Sequence, residues 1–291
     1  MKRSGIASIK ARKGKDRLVY WFVCLFSFLA MIPLFVILYN VISKGYKNFN
    51  LNLFTKGTPS SMDALIAKMN GEPIPGGILN GITGSLLIVG MAILFSVPIG
   101  LSVGVYLSEN RKHKFARIVS FLADLLQGMP SIVIGIIAYA WVVKPLGGYS
   151  ALAGSIALTI MMLPMIIRST EETLKMLPQS YKEAGLALGS SYTNVVFKIL
   201  IPSGFGGIFT GILLAISRVL GETAPLMLTA LGASVVNWNI MEPSSAIPLL
   251  IWDFYNDPNL VEMVWSSSLL LLIVIFLLNG IAKIVARKWK V

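Results

Sequence analysis

The chain has 291 residues, of which 55% are hydrophobic and 13% charged, with a mean hydropathy of +0.76. That balance excludes a soluble globular protein and predicts a bilayer chain, in which six spans and short loops leave no length for a soluble catalytic domain. The net charge of +12 is then a question of where the cations sit rather than a sign of nucleic-acid binding, and a single cysteine, Cys24, with a single histidine, His113, excludes an intrachain disulfide and a Cys/His zinc site.

Seven Lys and Arg residues precede the first apolar run, 18–42, which has full span length and no small-residue cleavage pattern. It is expected to be a retained first helix rather than a signal peptide. Residues 43–78 read as a polar external loop rich in Gly and Pro. Further apolar runs predict spans at 79–107, 118–143, 149–167, 203–234 and 265–286. Pro98, Pro130 and Pro164 are expected to kink them. Asp124, near the cytoplasmic start of the third span, is expected to snorkel or to contact the helix of the loop at 169–202 rather than to line a path. Nineteen Lys and Arg fall on the side of both termini, including Arg111 and Lys290, against five on the other side, at 44, 47, 56, 68 and 144. The positive-inside bias therefore makes both termini cytoplasmic. Segment 235–264 is external, with acidic residues and no Lys or Arg. It reads either as an interfacial segment anchored by Trp252 and Tyr255 or as a docking surface for an extracytoplasmic partner.

Between the fourth and fifth spans, 169–202 is too long for a turn. Two short helices are expected there. The first, 169–177, has Glu171 and Glu172 in its first turn, where negative charge is favoured. The second, 179–188, is amphipathic and closes at Gly189. The small residues Ala184, Gly185, Ala187 and Gly189 would let another backbone approach. The helix either plugs a partner's groove or lies on the lipid surface.

The fifth span carries "RVLGETAPLM" at 218–227. A continuous helix over its 32 residues would measure about 48 Å against about 30 Å of hydrocarbon. A break is expected between Gly221 and Pro225, with Thr223 capping a new segment from Ala224. A charge at that depth is expected to face a partner or a wet cavity. Arg218 and Glu222, four apart, either satisfy one another as an internal ion pair or line an anion path. In the path reading, the guanidinium fork of Arg218 and the new helix N-terminus attract an oxyanion. Glu222 would accept a proton carried by the substrate, or gate the path by pairing with Arg218.

The run "EAGLALGSSYTNVVFKILIP" resembles the EAA signature of ABC-importer permeases, with Glu183, Ala184, Gly189, Ile199 and Pro202 on the pattern and Gly185 in place of its second alanine. The resemblance implies a type I importer permease with the MetI-like fold: an all-α membrane protein of about six transmembrane helices. Its division would be a basic cytoplasmic N-terminus (1–17), a first transmembrane helix and external loop (18–78), a permease core (79–285) with its coupling loop at 169–202, and a basic cytoplasmic C-terminus (286–291). Glu183, Ala184, Gly185 and Gly189 would couple to an ATPase. "GVYLSE", "LLQGMPSIVIGI" and "SRVLGETAPLML" are similar to the permeases of bacterial phosphate-specific importers. This narrower resemblance implies a translocation path with Arg218, Glu222 and Thr223. The partners implied are a second permease subunit, a dimer of ATPase subunits, an extracytoplasmic phosphate-binding protein and the bilayer of the bacterial inner membrane. No nucleic acid, cofactor, metal or catalytic residue is expected. A molybdate or sulfate permease, a proton-coupled secondary transporter and a non-transporting scaffold are the competing readings.

Overall fold

The computed structural model describes residues 4–110 and 112–288. Arg111 and Lys290, which enter the charge bias, lie outside them, as do residues 1–3, 289 and 291. Among the described residues every regular element is helical. Four helices are long and apolar enough to cross a membrane, and the number reaches six if each of two bent pairs is one span.

The first helix, α1 (Ser4–Gly45), is 42 residues long, or about 63 Å, so the expected span is only part of it. Among the described residues it meets the rest of the chain near its C-terminal end, where Val41 and Gly45 are buried. There Gly45 abuts the Trp265 carbonyl, and Lys44 Nζ lies 4.5 Å from the centre of the Trp265 ring. The expected loop 43–78 is more ordered than its polar composition suggests. Leu51–Thr55 (α2) and Ser61–Asn70 (α3) are helices with N-caps from Asn50 and Ser60, and Gly71 at φ +70° closes α3. Leu53, Ala64 and Ile78 share a core with Phe254 and Leu260, which roofs one end of the bundle.

Helix α4 (Leu79–Glu109) runs unbroken through Pro98. The expected third span is not one helix: Lys114–Gly128 (α5) and Ser131–Ala138 (α6), which continues through a π-turn to Leu146, meet at 109°. The physical cause is the run Gly128-Met129-Pro130, in which proline removes a donor and pushes Met129 to extended backbone at ψ 137°. Helix α7 (Ala151–Met176) is the buried centre of the bundle. It packs on α4 where Gly100 and Gly104 admit Ile166 and Thr170, close approach by small residues being the main source of helix adhesion in lipid. It also contains the first of the two expected loop helices. Arg168, Glu171 and Lys175 do not end the span, because they pair with one another along the helix.

Beyond Leu177 and Pro178 lie α8 (Gln179–Ala187) and α9 (Tyr192–Val195), the latter continuing through a π-turn to Ser203. The chain then bends by 72° into α10 (Phe205–Val219). After the four-residue α11 (Ala224–Met227), segment 228–246 is irregular, so the fifth span does not reach 234 as a helix. Part of segment 235–264 contributes to the core. Ile247–Asn256 (α12) buries Leu249, Leu250 and Phe254 while Trp252 and Tyr255 stay exposed, and α13 (Val261–Lys288) completes the bundle.

Candidate functional site

Arg218 lies in the last turn of α10, which ends through tight turns: the N–H groups of Gly221 and Glu222 donate to the carbonyls of Arg218 and Val219, both at 3.2 Å. Arg218 Nε is 3.9 Å from Glu222 Oε1, at the outer limit of an ion pair, with no hydrogen bond between them. Its Nη1 has a weak contact to Met165 Sδ at 3.7 Å. The Arg218 side chain is 42% exposed and that of Glu222 19%. An arginine presents five N–H donors, so most of this fork meets no oxygen of the described residues. The ion pair alone does not satisfy it.

Thr223 does not cap α11 as expected. Its backbone is helical (φ −106°, ψ −47°) rather than extended, and its side chain makes no capping bond. The carbonyl of Thr223 instead accepts from the Met227 N–H at 3.0 Å. A segment of four residues also has little dipole, so α11 adds little as an anion-attracting terminus. Pro130, expected to kink the third span, stands instead at a full break between two helices. The α5–α6 break is linked to the α10–α11 break through α6, which packs on α11 with Gly135 against Pro225, where an added Cβ would be 2.8 Å from the Pro225 Cα. The signal was present in "QGMPS", whose glycine and proline mark a break more than a kink. A cleft of about 550 Å³ extends from Met165, the neighbour of Arg218, past Gln127 and Ser169 to Thr210.

The residues expected to couple to an ATPase lie beyond the C-terminal end of α7. On α8, Glu183 and Ala184 are exposed, and Leu186 and Leu188 are 41% and 86% exposed. Gly189 takes φ +79° and donates to the Leu186 carbonyl at 2.9 Å, ending the helix. Gly185 faces inward, not toward solvent. A Cβ there would be 2.8 Å from Ile199 Cδ1 and 2.9 Å from Val195 Cγ2. Lys182 forms an ion pair with Glu109 at the end of α4, and its Nζ lies 5.2 Å from the Tyr192 ring centre. A cleft of about 850 Å³ between these elements is lined by Glu109, His113, Lys175 and Glu183. Helix α8 is thus fastened on one face and presents its opposite, partly apolar face outward. Of the atoms facing Gly185, Ile199 Cδ1 can swing aside but the buried, β-branched Val195 cannot, so Gly185→Ala is expected to lower transport activity moderately, whereas Gly185→Leu displaces segment 195–199 and abolishes it. Uptake by vesicles holding each variant checks both.

Residues 96–291 match the family described as binding-protein-dependent transport system inner membrane component. The phosphate transport system permease protein PstA of Haemophilus influenzae is 36% identical over 246 residues, covering 84% of this chain and 83% of that protein. The PstA protein of Pasteurella multocida is 36% identical over 276 residues, covering 94% and 95%. An inward-facing structure of the MetNI methionine ABC transporter aligns with a TM-score of 0.62 at 21% identity, over 72% of this chain and 95% of that one, which shows a common fold.

Proposed function

This chain belongs to the family of binding-protein-dependent transport system inner membrane components, and we propose that Arg218 and its two flanking helix breaks form half of a path for inorganic phosphate. The chain is the permease subunit of an ATP-driven phosphate importer. The observation that carries the path assignment is the unsatisfied guanidinium fork of Arg218. A charge facing hydrocarbon costs about 2.5–3.5 kcal/mol on insertion scales, so the exposed face of Arg218 requires a cover of protein and water. A second permease of the PstC type provides that cover and the other half of the path. Phosphate near neutral pH still carries protons, so Glu222 accepts a phosphate O–H where it would repel a fully ionised sulfate.

Glu183, Ala184, Gly185 and Gly189 belong to the element that engages a PstB-type ATPase pair, with the exposed face of α8 seated in the ATPase groove. A PstS-type phosphate-binding protein loads the complex from outside the inner membrane. Both termini are cytoplasmic, as the Lys and Arg bias supports. Residues 1–17 and 286–291 form the basic cytoplasmic ends, 18–78 the first membrane helix and external loop, and 79–285 the permease core with coupling loop 169–202.

The Thr223 hydroxyl bonds to nothing among the described residues and lies within the break. Thr223→Val is therefore expected to lower uptake several-fold while leaving thermal stability within about 0.5 kcal/mol, read by transport assay and thermal unfolding of the purified complex. The class of transporter is tested with an uncoupler. ATP-dependent uptake that survives collapse of the proton gradient supports an importer, and uptake that needs the gradient but not ATP assigns the chain to secondary transport.

A further inference from the structure

The charged cluster where α5 crosses α7 stands on the wall of the cleft that runs from Met165 to Thr210, which Asp124 and Arg168 help to line. Arg168 Nε donates to Asp124 Oδ1 at 2.9 Å, and its Nη1 donates to Glu171 Oε2 at 2.7 Å. Its Nη2 donates to both the carbonyl and the hydroxyl oxygen of Ser120, at 2.9 and 2.8 Å. Glu171 is 4% exposed and is held from its other side by Lys175. One guanidinium thus joins α7 to two residues of α5 that share a face.

The position of this junction matters as much as its chemistry. Toward one end, α7 continues for about two turns and reaches the coupling helix α8 through Leu177 and Pro178 alone. Toward the other, Asp124 is one turn from Gly128, where α5 gives way to α6 at 109°. Helix α6 packs on α11, by Gly135 against Pro225, and also on the first half of α7, where Ile134 shares a core with Leu158 and Met162. A displacement of α8 that moves the second half of α7 therefore carries α5, which packs there on Leu163, Ile167 and Arg168, while α6 stays with α11 and the first half of α7, and the angle between α5 and α6 opens or closes at residues 128–130.

We infer that Arg168 is a positioning residue that transmits movement of the coupling helix α8 to the hinge at 128–130, and through it to the path beside Arg218. The inference rests on the function proposed above. Neutralising Glu171 is not enough for this role. A lysine at 168 supplies the charge, but its single ammonium lacks the planar fork that reaches Asp124 and Ser120 together.

The test is a complex of both permeases and the ATPase pair in proteoliposomes, supplied with phosphate-binding protein and assayed for phosphate carried and ATP hydrolysed. Arg168→Lys and Asp124→Ala are each expected to assemble and to hydrolyse ATP within about two-fold of the parent, while phosphate moved per ATP falls by about five-fold or more. An unchanged ratio in both variants overturns the inference, as does a parallel fall of hydrolysis and uptake. Loss of assembly in Arg168→Lys with Asp124→Ala unaffected also overturns it, by assigning Arg168 to folding. A parent complex that hydrolyses ATP and carries no phosphate contradicts the function itself, and the relay falls with it.

Discussion

Replacing Arg218 by Gln is expected to reduce phosphate uptake by about 100-fold while the complex with its partners stays assembled, since a lost charge-assisted contact of about 3 kcal/mol corresponds to that factor. The fold gives the reason why assembly survives. Within this chain the guanidinium holds only a long pairing to Glu222 and a weak contact to a methionine sulfur, so its removal takes little from the packing of α10. What it removes is a cation beside two broken helices. Arg218→Lys keeps that charge but not the fork, and falls between the parent and Gln. Uptake measured against the amount of co-purified partner separates loss of transport from loss of assembly.

Gly84→Val is expected to destabilise the protein by about 3 kcal/mol, the upper end of overpacking penalties. In α4, a side chain at this position would overlap the carbonyl oxygen of Ser245, which is backbone and has no rotamer to change. Nor is Ser245 free to move. Its hydroxyl accepts from the Ala233 N–H at 2.7 Å and donates to the Ala233 carbonyl at 2.9 Å. Asn80 donates to that same carbonyl at 2.7 Å, and Ser85 accepts from the Ile247 N–H at 2.8 Å. The irregular segment between α11 and α12 is tied to α4 near its two ends, at Ala233 and at Ile247, so Gly84→Val loosens it there. Thermal unfolding in detergent should show a fall of roughly 5–10 °C. Gly90→Ala in the same helix meets open space and should be neutral or slightly stabilising, which controls for helix propensity.

The sequence made legible the features that depend on the bilayer. Apolar runs locate the long helices α4, α7 and α13, because only about 20 apolar residues cross the hydrocarbon. The break after Arg218 was also foreseeable, since its span was too long and contained Gly221 and Pro225. Other features depend on contacts between distant residues. Arg168, Glu171 and Lys175 look like the start of a loop, yet their mutual pairing keeps α7 helical to Met176. Residues 46–78 look like a slack loop, yet Leu53 and Ile78 find Phe254, about 200 residues on. Thr223 has the residue type of a cap and a backbone that forbids it, because the turns closing α10 carry helical dihedrals into position 223. The candidate site is half legible in consequence: Arg218 and Glu222 stand out by their cost in lipid, while the 109° break is signalled only by the glycine and proline of "QGMPS".

The most direct measurement is accumulation of labelled phosphate by vesicles that hold this chain with its second permease and ATPase pair, with binding protein outside and sulfate as competitor. The account predicts accumulation that requires ATP, is lost in Arg218→Gln, and is unaffected by excess sulfate. Accumulation without ATP, or equal transport of sulfate, would contradict it.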